Sequence, residues 1–575
     1  MIKLFRFLKT YRWAVTLVLG LVLLQSLSEL YLPTLMADIV DKGVIEEDLP
    51  YIWKIGGFML LVAAAGTVFS IIASYVSAKI SAGFGKIVRN KIFTHVEHFS
   101  LQEFDKIGTA SLITRTTNDV QQVQQVLIMM LRMMVMAPMM CIGGIIMAVS
   151  KDAKLSLVIV VIIPVLAAAI MIVAMKGVPL FKKMQIKLDK LNLVLREALT
   201  GIRVIRSFNR IEHEKKRFDE ANADLTETAI KVNKIMGTMM PLMMLIMNFA
   251  SIAIIWFGGL RISEGHMQVG DLMAFLQYAM QIMFSLIMVS MMFVMVPRAS
   301  ASAVRINEVL DMVPDLKDPE QPKRADAKRG YVEFRDVTFS YPGAEAPAIS
   351  GITFSAQPGE ITAIIGGTGS GKSTLISLIP RFYDVNGGSI LIDGADVREL
   401  SQEQLRSKIG LVPQKAVLFT GTVADNIRYG KEDATDEEVR HAAAIAQASE
   451  FIGEMKEGFD SAIAQGGSNV SGGQKQRLSI ARALVRRPEI YLFDDSFSAL
   501  DFKTDAKLRA ALKSETLEST VLIVAQRVST VMSADRIIVL DDGQIAGIGS
   551  HKELMDSCSV YREIVFSQLS EEEIA

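Results

Sequence analysis

Apolar residues are concentrated before position 300 of this 575-residue chain, in six runs that are each long enough to cross a bilayer. A helix of about 20 apolar residues spans the hydrocarbon core of a membrane. One such run also fits a buried helix of a soluble protein, but no soluble core can surround six of them. The pattern therefore predicts an all-helical membrane domain over residues 1–313, with spans at residues 14–32, 55–78, 126–149, 155–175, 235–260 and 272–297.

The segments between these spans alternate in length and in charge. Those after the second and fourth spans are long and rich in Lys and Arg, whereas the loop 41–48 carries Glu46 and Glu47. Positive residues stay on the cytoplasmic side, so the N-terminus and both long segments are predicted inside. Their helical periodicity predicts that the membrane helices continue into the cytoplasm and reverse near residues 99–108 and 207–214. The first apolar run is too long for a cleaved signal peptide.

The pattern changes after residue 313. Residues 314–330 are polar and rich in Pro, which is typical of a linker. From residue 331 short apolar strands alternate with helices, as at residues 331–334 and 361–365. This alternation predicts an α/β domain over residues 331–575.

The net charge and the number of cysteines limit the functions that are expected. The net charge is −1, which gives no reason to expect a nucleic-acid partner. The two cysteines, Cys141 and Cys558, are too few for a disulfide framework.

The strand at residues 361–365 runs directly into a glycine-rich loop and then a helix. Glycines let backbone N–H groups close on phosphate oxygens, and the helix N-terminus favours their negative charge. Lys372 is predicted to reach the β- and γ-phosphates of ATP, and Ser373 to hold Mg²⁺. The nucleotide-binding residues predicted here are Gly366, Gly367, Thr368, Gly369, Ser370, Gly371, Lys372, Ser373 and Thr374.

A second motif, at residues 471–474, follows this loop in the order found in ATP-binding cassettes. With six spans before one cassette, the chain resembles a half-transporter of the ABC exporter type. The resemblance implies that Tyr341 stacks on adenine and that Gln414 and Asp494 hold Mg²⁺ with Ser373. The further nucleotide contacts that it implies are Ser471, Gly472, Gly473, Gln474 and Asp501. It also implies that ATP lies between two cassettes, so the chain must dimerise.

Two residues depart from the family pattern. Asp495 stands where a glutamate usually orients the attacking water, and Gln526 stands where a histidine usually contacts the γ-phosphate. Asp is one methylene shorter than Glu, and Gln has no proton that titrates near neutral pH. We expect a degenerate site and a non-identical partner half-transporter that carries the glutamate and the histidine, as in bacterial heterodimeric multidrug exporters. The alternative is a homodimer in which Asp495 is a weak base.

Methionine is frequent in the later spans, and the whole chain has 32. One interpretation is apolar filler; the other is a pocket for varied amphipathic ligands, because Met is flexible and polarizable. Glu29 also has two interpretations, a carboxyl hydrogen-bonded to a neighbouring helix or a counter-charge for a cationic substrate. The candidate substrate residues are Glu29, Met240, Met244, Gln277 and Gln281.

These patterns predict a subunit of an ATP-driven drug exporter in a bacterial plasma membrane, with its cassette in the cytoplasm. Lipid or peptide cargo is the alternative within this class. A channel-like or regulatory assembly, with the slow site as a nucleotide sensor, is an alternative from another class.

Overall fold

The computed structural model describes residues 1–323 and 329–569, apart from the side chains at positions 174, 291, 293 and 294. The chain forms two compact units. One is helical and contains Met1–Glu97 and Thr109–Met312, and the other is an α/β unit that contains His98–Gly108 and the chain from Val313 onward. Residues 324–328 of the predicted linker lie outside the described residues.

The helical unit contains six helical segments that are long and apolar enough to cross a membrane. They are Ile2–Val44, Leu49–Val96, Thr109–Lys151, Ser156–Thr200, Ile211–Ser263 and Val269–Asp311. The prediction of a six-helix membrane domain is confirmed. The second segment has 48 residues, and at 1.5 Å per residue it is roughly 72 Å long, more than twice the thickness of a bilayer core. The prediction that the membrane helices extend well beyond the bilayer is therefore also confirmed.

Helices account for nearly all of the chain up to residue 311. They are α1 (Ile2–Phe5), α2 (Arg12–Asp38), α3 (Leu49–Val96), α4 (Leu101–Ile107), α5 (Thr109–Thr114), α6 (Val120–Lys151), α7 (Ser156–Thr200), α8 (Ile202–Ser207), α9 (Ile211–Ser263) and α10 (Val269–Asp311). A 3₁₀ segment (Arg6–Tyr11) precedes α2, and π-helical turns (Ile39–Val44 and Arg115–Asp119) follow α2 and precede α6.

The two predicted reversals, near residues 99–108 and 207–214, differ from each other. The first contains α4, which begins with a capping box in which the Ser100 backbone N–H donates to Glu103 at 2.6 Å. The second contains α8 between breaks at Gly201 and at residues 208–210, so it begins earlier than the predicted 207–214. Glycine is a poor helix former, which accounts for the end of α7 at Gly201.

Buried apolar residues join α2, α6 and α10 in the helical unit. Leu30, Phe275, Tyr278 and Ile282 are members of this core. The Tyr278 hydroxyl donates to the Leu30 carbonyl oxygen at 3.0 Å, which satisfies a polar group inside an apolar core.

The α/β unit contains three sheets in the part of the chain that the structure describes. A four-stranded antiparallel sheet has the order β2-β1-β4-β5, a six-stranded sheet has the order β12-β11-β3-β10-β9-β6, and β7 pairs with β8. The strands are β1 (Val332–Phe339), β2 (Ile349–Ala356), β3 (Ile361–Gly366), β4 (Gly387–Ile392), β5 (Ala395–Asp396), β6 (Ile409–Val412), β7 (Gly421–Thr422), β8 (Ala462–Ile463), β9 (Ile490–Asp494), β10 (Thr520–Val524), β11 (Arg536–Asp541) and β12 (Gln544–Gly549).

Five strands of the larger sheet, β11, β3, β10, β9 and β6, are parallel. All five residues of β10 are buried, as expected for a parallel strand that is covered on both faces. The helices of this unit after residue 371 are α11 (Lys372–Leu378), α12 (Gln402–Ser407), α13 (Val423–Arg428), α14 (Asp436–Ile445), α15 (Ser449–Glu454), α16 (Gly472–Val485), α17 (Phe502–Glu515), α18 (Val528–Val531), α19 (His551–Ser557) and α20 (Ser559–Phe566).

Candidate nucleotide site

The carboxyl ends of the parallel strands bring the candidate residues of the α/β unit together. Because neighbouring parallel strands end at the same edge of a sheet, residues far apart in sequence become neighbours there. The phosphate-binding loop follows β3, Gln414 follows β6, Asp494 ends β9 with Asp495 directly after it, and Gln526 follows β10.

The glycines of the phosphate-binding loop are required by close backbone approach. A Cβ at Gly366 would lie 2.2 Å from the Leu540 carbonyl oxygen. Gly371 has φ +93° and leads into α11, a conformation that residues with a side chain rarely adopt. The sequence Gly-Lys-Ser-Thr at the start of α11 therefore needs glycine at this point.

Lys372 is buried and lies along the loop. Its ammonium group donates to the carbonyl oxygens of Gly366 and Gly367 at 2.9 and 2.6 Å. Burial lowers the pKa of Lys372, while the nearby carboxylates of Asp495 and Asp494 favour its charged form. The geometry keeps a cation inside the loop that is predicted to bind phosphate.

Tyr341 contacts the loop from the smaller sheet. Its hydroxyl lies 3.0 Å from the Thr374 hydroxyl. Its ring packs edge-on against Phe339 and Tyr383, with centroids 5.0 and 5.5 Å away. The residue remains 39% exposed, which leaves ring surface that can stack on a base.

Ser373 and Asp494 form a polar pair next to the loop. The Ser373 hydroxyl donates to the Asp494 carboxylate at 2.8 Å. Burial raises the pKa of Asp494, and the negative charge of Asp495 adds to this effect. A hydroxyl beside a carboxylate fits Mg²⁺, which takes oxygen ligands and shares the rest of its coordination with nucleotide phosphates and water. These residues would hold the ion, which would neutralise phosphate charge when bound.

Asp495 lies in a different polar environment. Its Oδ2 accepts a hydrogen bond from the Gln526 amide at 2.9 Å and a longer one from the Gln414 amide at 3.4 Å. Its own backbone is in the left-handed region, with φ +46°, which Asp tolerates better than most residues. Burial raises the pKa of Asp495, and the Gln414 amide opposes this shift. Two uncharged amide groups therefore occupy the carboxylate oxygen at the position of the expected base.

The second motif begins a helix. Ser471 is the N-cap of α16 and forms a capping box with Gln474, in which the Ser471 backbone N–H donates to the Gln474 side-chain oxygen at 2.9 Å. Asp501 caps α17 by accepting from the Thr504 backbone N–H at 2.9 Å. Arg527 donates to the Ser498 carbonyl oxygen at 3.0 Å, so the loop before Asp501 is tied to the segment after β10.

The candidate substrate residues lie in the helical unit and only some of them meet. The Gln25 amide donates to the Glu29 carboxylate at 2.9 Å, and the Gln281 amide donates to the Glu29 carbonyl oxygen at 3.2 Å. Met240 and Met244 lie on a face of α9 where they are 57% and 60% exposed. Met243, their neighbour on the helix, is instead buried in a core with Leu166 and Met283. Gln277 is exposed on α10.

One contact at the site has no signal in the sequence. The Gln568 side chain donates to the Gln526 carbonyl oxygen at 2.8 Å and accepts from the Val528 backbone N–H at 2.9 Å. Gln568 lies in the turn after α20, and nothing in the local pattern of residues indicates that this turn reaches the segment after β10.

Known proteins resemble this chain over both units. Residues 15–286 match the ABC transporter transmembrane region and residues 349–498 match the ABC transporter domain. An uncharacterized ABC transporter ATP-binding protein of Mycobacterium tuberculosis is 45% identical over 98% of this chain and 97% of its own length. An ATP-dependent lipid A-core flippase of Desulfotalea psychrophila is 35% identical over 91% of each chain.

A solved structure of an exporter is also similar to this chain over nearly its whole length. The structure of a bacterial Atm1-family ABC exporter with ATP bound has a TM-score of 0.81 and 26% identity, and the match covers 97% of this chain and 99% of that one.

Six membrane helices followed by one nucleotide-binding α/β unit define an exporter of the ABC class. The chain belongs to the ABC transporter family and is a half-transporter subunit, a multi-pass membrane protein whose cassette binds ATP and couples its hydrolysis to transport. The predicted family and fold class are confirmed.

Proposed function

We propose that this chain pairs with a non-identical half-transporter and exports amphipathic small molecules, often cationic, across a bacterial plasma membrane. The chain is divided into a membrane domain (1–313), a linker (314–330) and a cytoplasmic cassette (331–575). In this proposal ATP binding closes two cassettes, and the cytoplasmic extensions of the membrane helices transmit the motion to the substrate pathway. The cassette residues bind ATP and Mg²⁺ in the roles predicted above.

The environment of Asp495 carries the proposal of a slow site on this chain. A general base needs a carboxylate oxygen that a reacting water can reach. Here Oδ2 of Asp495 accepts from Gln526 and Gln414. The side chain is also shorter than that of Glu by roughly 1.3 Å, and a misplacement of about 1 Å can cost about a hundredfold in rate.

In the same proposal this chain contributes to two different ATP sites, one slow and one active. The capping box of Ser471 and Gln474 is intact, so this chain can complete the Walker site of a partner that carries glutamate and histidine. That partner would in turn cap the slow site built around Asp495. A homodimer would instead contain two slow sites.

The test is to restore the residues of the family pattern. Asp495→Glu together with Gln526→His, in the chain purified and reconstituted without a partner, is expected to raise ATP hydrolysis by about ten- to a hundredfold. The matched control is Asp541→Glu with Gln544→His, an exposed pair at the turn between β11 and β12. An unchanged or lower rate in the restored variant would contradict the slow-site proposal.

Lipid is the second candidate cargo. It is favoured by relatives named lipid A-core flippases, one of them 35% identical over 91% of this chain. Movement of a fluorescent phospholipid between leaflets of proteoliposomes, driven by ATP, would support it. ATP-driven uptake of a cationic dye into inside-out vesicles, without lipid movement, would support drug export.

A further inference from the structure

The turn after α20 holds the backbone on both sides of Arg527. One planar side chain makes both contacts: the Gln568 amide nitrogen donates to the Gln526 carbonyl oxygen, and its oxygen accepts from Val528 N–H. The distances, 2.8 and 2.9 Å, are those of ordinary strong hydrogen bonds. Two bonds from one amide fix the direction of this segment as well as its position.

Gln568 is itself fixed by the packing of α20. Tyr561 and Val565 are fully buried in the core that includes β10 and β9, and Leu569 packs against the same core. The Tyr561 hydroxyl lies 2.8 Å from Nδ1 of His551 on α19. The amide is therefore presented from a rigid element on one side of the segment that it holds.

The segment that Gln568 holds includes Gln526, whose side chain lies at the nucleotide site. Gln526 donates from its amide to Asp495 Oδ2 at 2.9 Å, while its carbonyl oxygen accepts from Gln568. A continuous set of hydrogen bonds thus joins Gln568 to Asp495 through one residue. If the backbone at Gln526 shifts, its amide cannot keep the same place beside Asp495.

We propose that Gln568 is a positioning residue for the nucleotide site, acting through Gln526. Its role is to keep the Gln526 side chain where it meets both Asp495 and the γ-phosphate end of bound ATP. The proposal does not depend on whether this site is slow, or on whether the partner chain is identical.

A double-mutant cycle tests this role, because coupling between two residues appears as non-additivity. MgATP binding is measured at equilibrium on the full-length transporter in lipid nanodiscs. Gln568→Leu, which keeps the volume and removes both hydrogen bonds, is expected to weaken binding by about three- to tenfold. The same substitution made on top of Gln526→Ala is expected to change binding by less than about twofold, since no side chain remains to be positioned.

The neighbouring residue provides the control. Ser567→Ala removes a hydroxyl that donates to the Ile564 carbonyl oxygen within the same helix end, and binding is expected to stay unchanged. An equal loss from Gln568→Leu in both backgrounds, or no loss in the folded single variant, would overturn the proposal.

A conservative variant covers the case in which Gln568→Leu does not fold. Gln568→Glu keeps an acceptor for Val528 N–H and loses the donor to the Gln526 carbonyl oxygen. It is expected to weaken MgATP binding while Gln526 is present and to have little effect in Gln526→Ala. Equal effects in the two backgrounds would again contradict the proposal.

Discussion

Asp494 and Asp495 are adjacent in the chain, yet their carboxylates meet different groups. Asp494 accepts from the Ser373 hydroxyl beside the phosphate-binding loop, whereas Asp495 accepts from the amides of Gln526 and Gln414. The turn from strand to left-handed backbone at Asp495 separates the two side chains. Identical residue types thereby acquire separate roles: Asp494 is suited to a cation, and Asp495 is held by neutral donors.

The raised pKa of Asp494 predicts how MgATP binding depends on pH. Because burial raises this pKa above its ordinary value of 3.8, the carboxylate gains a proton at a pH where an exposed aspartate is still charged. A protonated carboxyl cannot hold Mg²⁺, so MgATP affinity should fall as the pH is lowered through the raised pKa. Equilibrium binding between about pH 7 and pH 4 measures this.

The nucleotide also titrates in this range, so the same series is needed for Asp494→Asn. This variant has no carboxyl to protonate, and its binding should be weaker at pH 7 and less sensitive to acid. Parallel pH profiles for the two proteins would show that the dependence belongs to ATP and not to Asp494.

At the scale of elements, helices α16 and α19 of the α/β unit begin with the same kind of polar cap. Ser471 caps α16 and Ser550 caps α19 with the same Ser–x–x–acid-or-amide box. The first box lies in the second nucleotide motif predicted from the sequence, at residues 471–474, and the second box does not. The pair therefore separates the contribution of a cap to stability from its contribution to ATP chemistry.

Ser471→Ala is expected to lower cassette stability by about 1 kcal/mol, as the loss of a helix N-cap usually does. It should also reduce ATP hydrolysis of the assembled transporter, because the serine faces the γ-phosphate of the partner's site in the proposed arrangement. Ser550→Ala should show the loss of stability with normal hydrolysis. Thermal unfolding and ATPase rates are measured for both variants. Equal rates of ATP hydrolysis in the two would show that Ser471 does not act at the ATP site.

Features built from one contiguous stretch of chain could be predicted from the sequence, whereas contacts between distant elements could not. The phosphate-binding loop was predictable because strand, glycines and helix are contiguous, and the six spans were predictable because each is a single apolar run. The contact between Gln526, Asp495 and Gln414 depends on the pairing of β10, β9 and β6, which no local pattern specifies. Gln568 depends in addition on how α20 packs, so its contact was missed.

At the scale of the whole molecule, one half-transporter chain supplies half of the membrane helices and half of each ATP site of the proposed dimer. The helical unit has six membrane helices, and the α/β unit has one phosphate-binding loop and one motif at residues 471–474. If the partner is non-identical, this chain purified alone should bind ATP and hydrolyse it at least tenfold more slowly than the co-expressed pair. ATPase assays in nanodiscs compare the two, and full activity of the chain alone would reject the heterodimer.

The polar cluster around Glu29 bears on the cargo of the assembled transporter. The Glu29 carboxylate accepts a hydrogen bond from the Gln25 amide, and the Glu29 carbonyl oxygen accepts one from the Gln281 amide. Oε1 of Gln281 is buried without a hydrogen-bond partner among the described residues. An acceptor-rich group inside an apolar helical unit favours a ligand that donates hydrogen bonds and carries positive charge. Replacing the carboxylate with an amide keeps its shape and removes the charge.

Glu29→Gln should therefore weaken ATP-driven transport of cationic amphipathic dyes by about tenfold and leave neutral ones within about twofold, since a partly desolvated charge pair contributes on the order of 1–3 kcal/mol. Glu47→Gln, in the exposed loop before α3, is the matched control and should change neither. Uptake into inside-out vesicles, with a cationic and a neutral dye of similar size, gives the ratio directly. An equal loss for both dyes would assign Glu29 to helix packing, because a structural defect in the pathway does not distinguish the charge of the cargo.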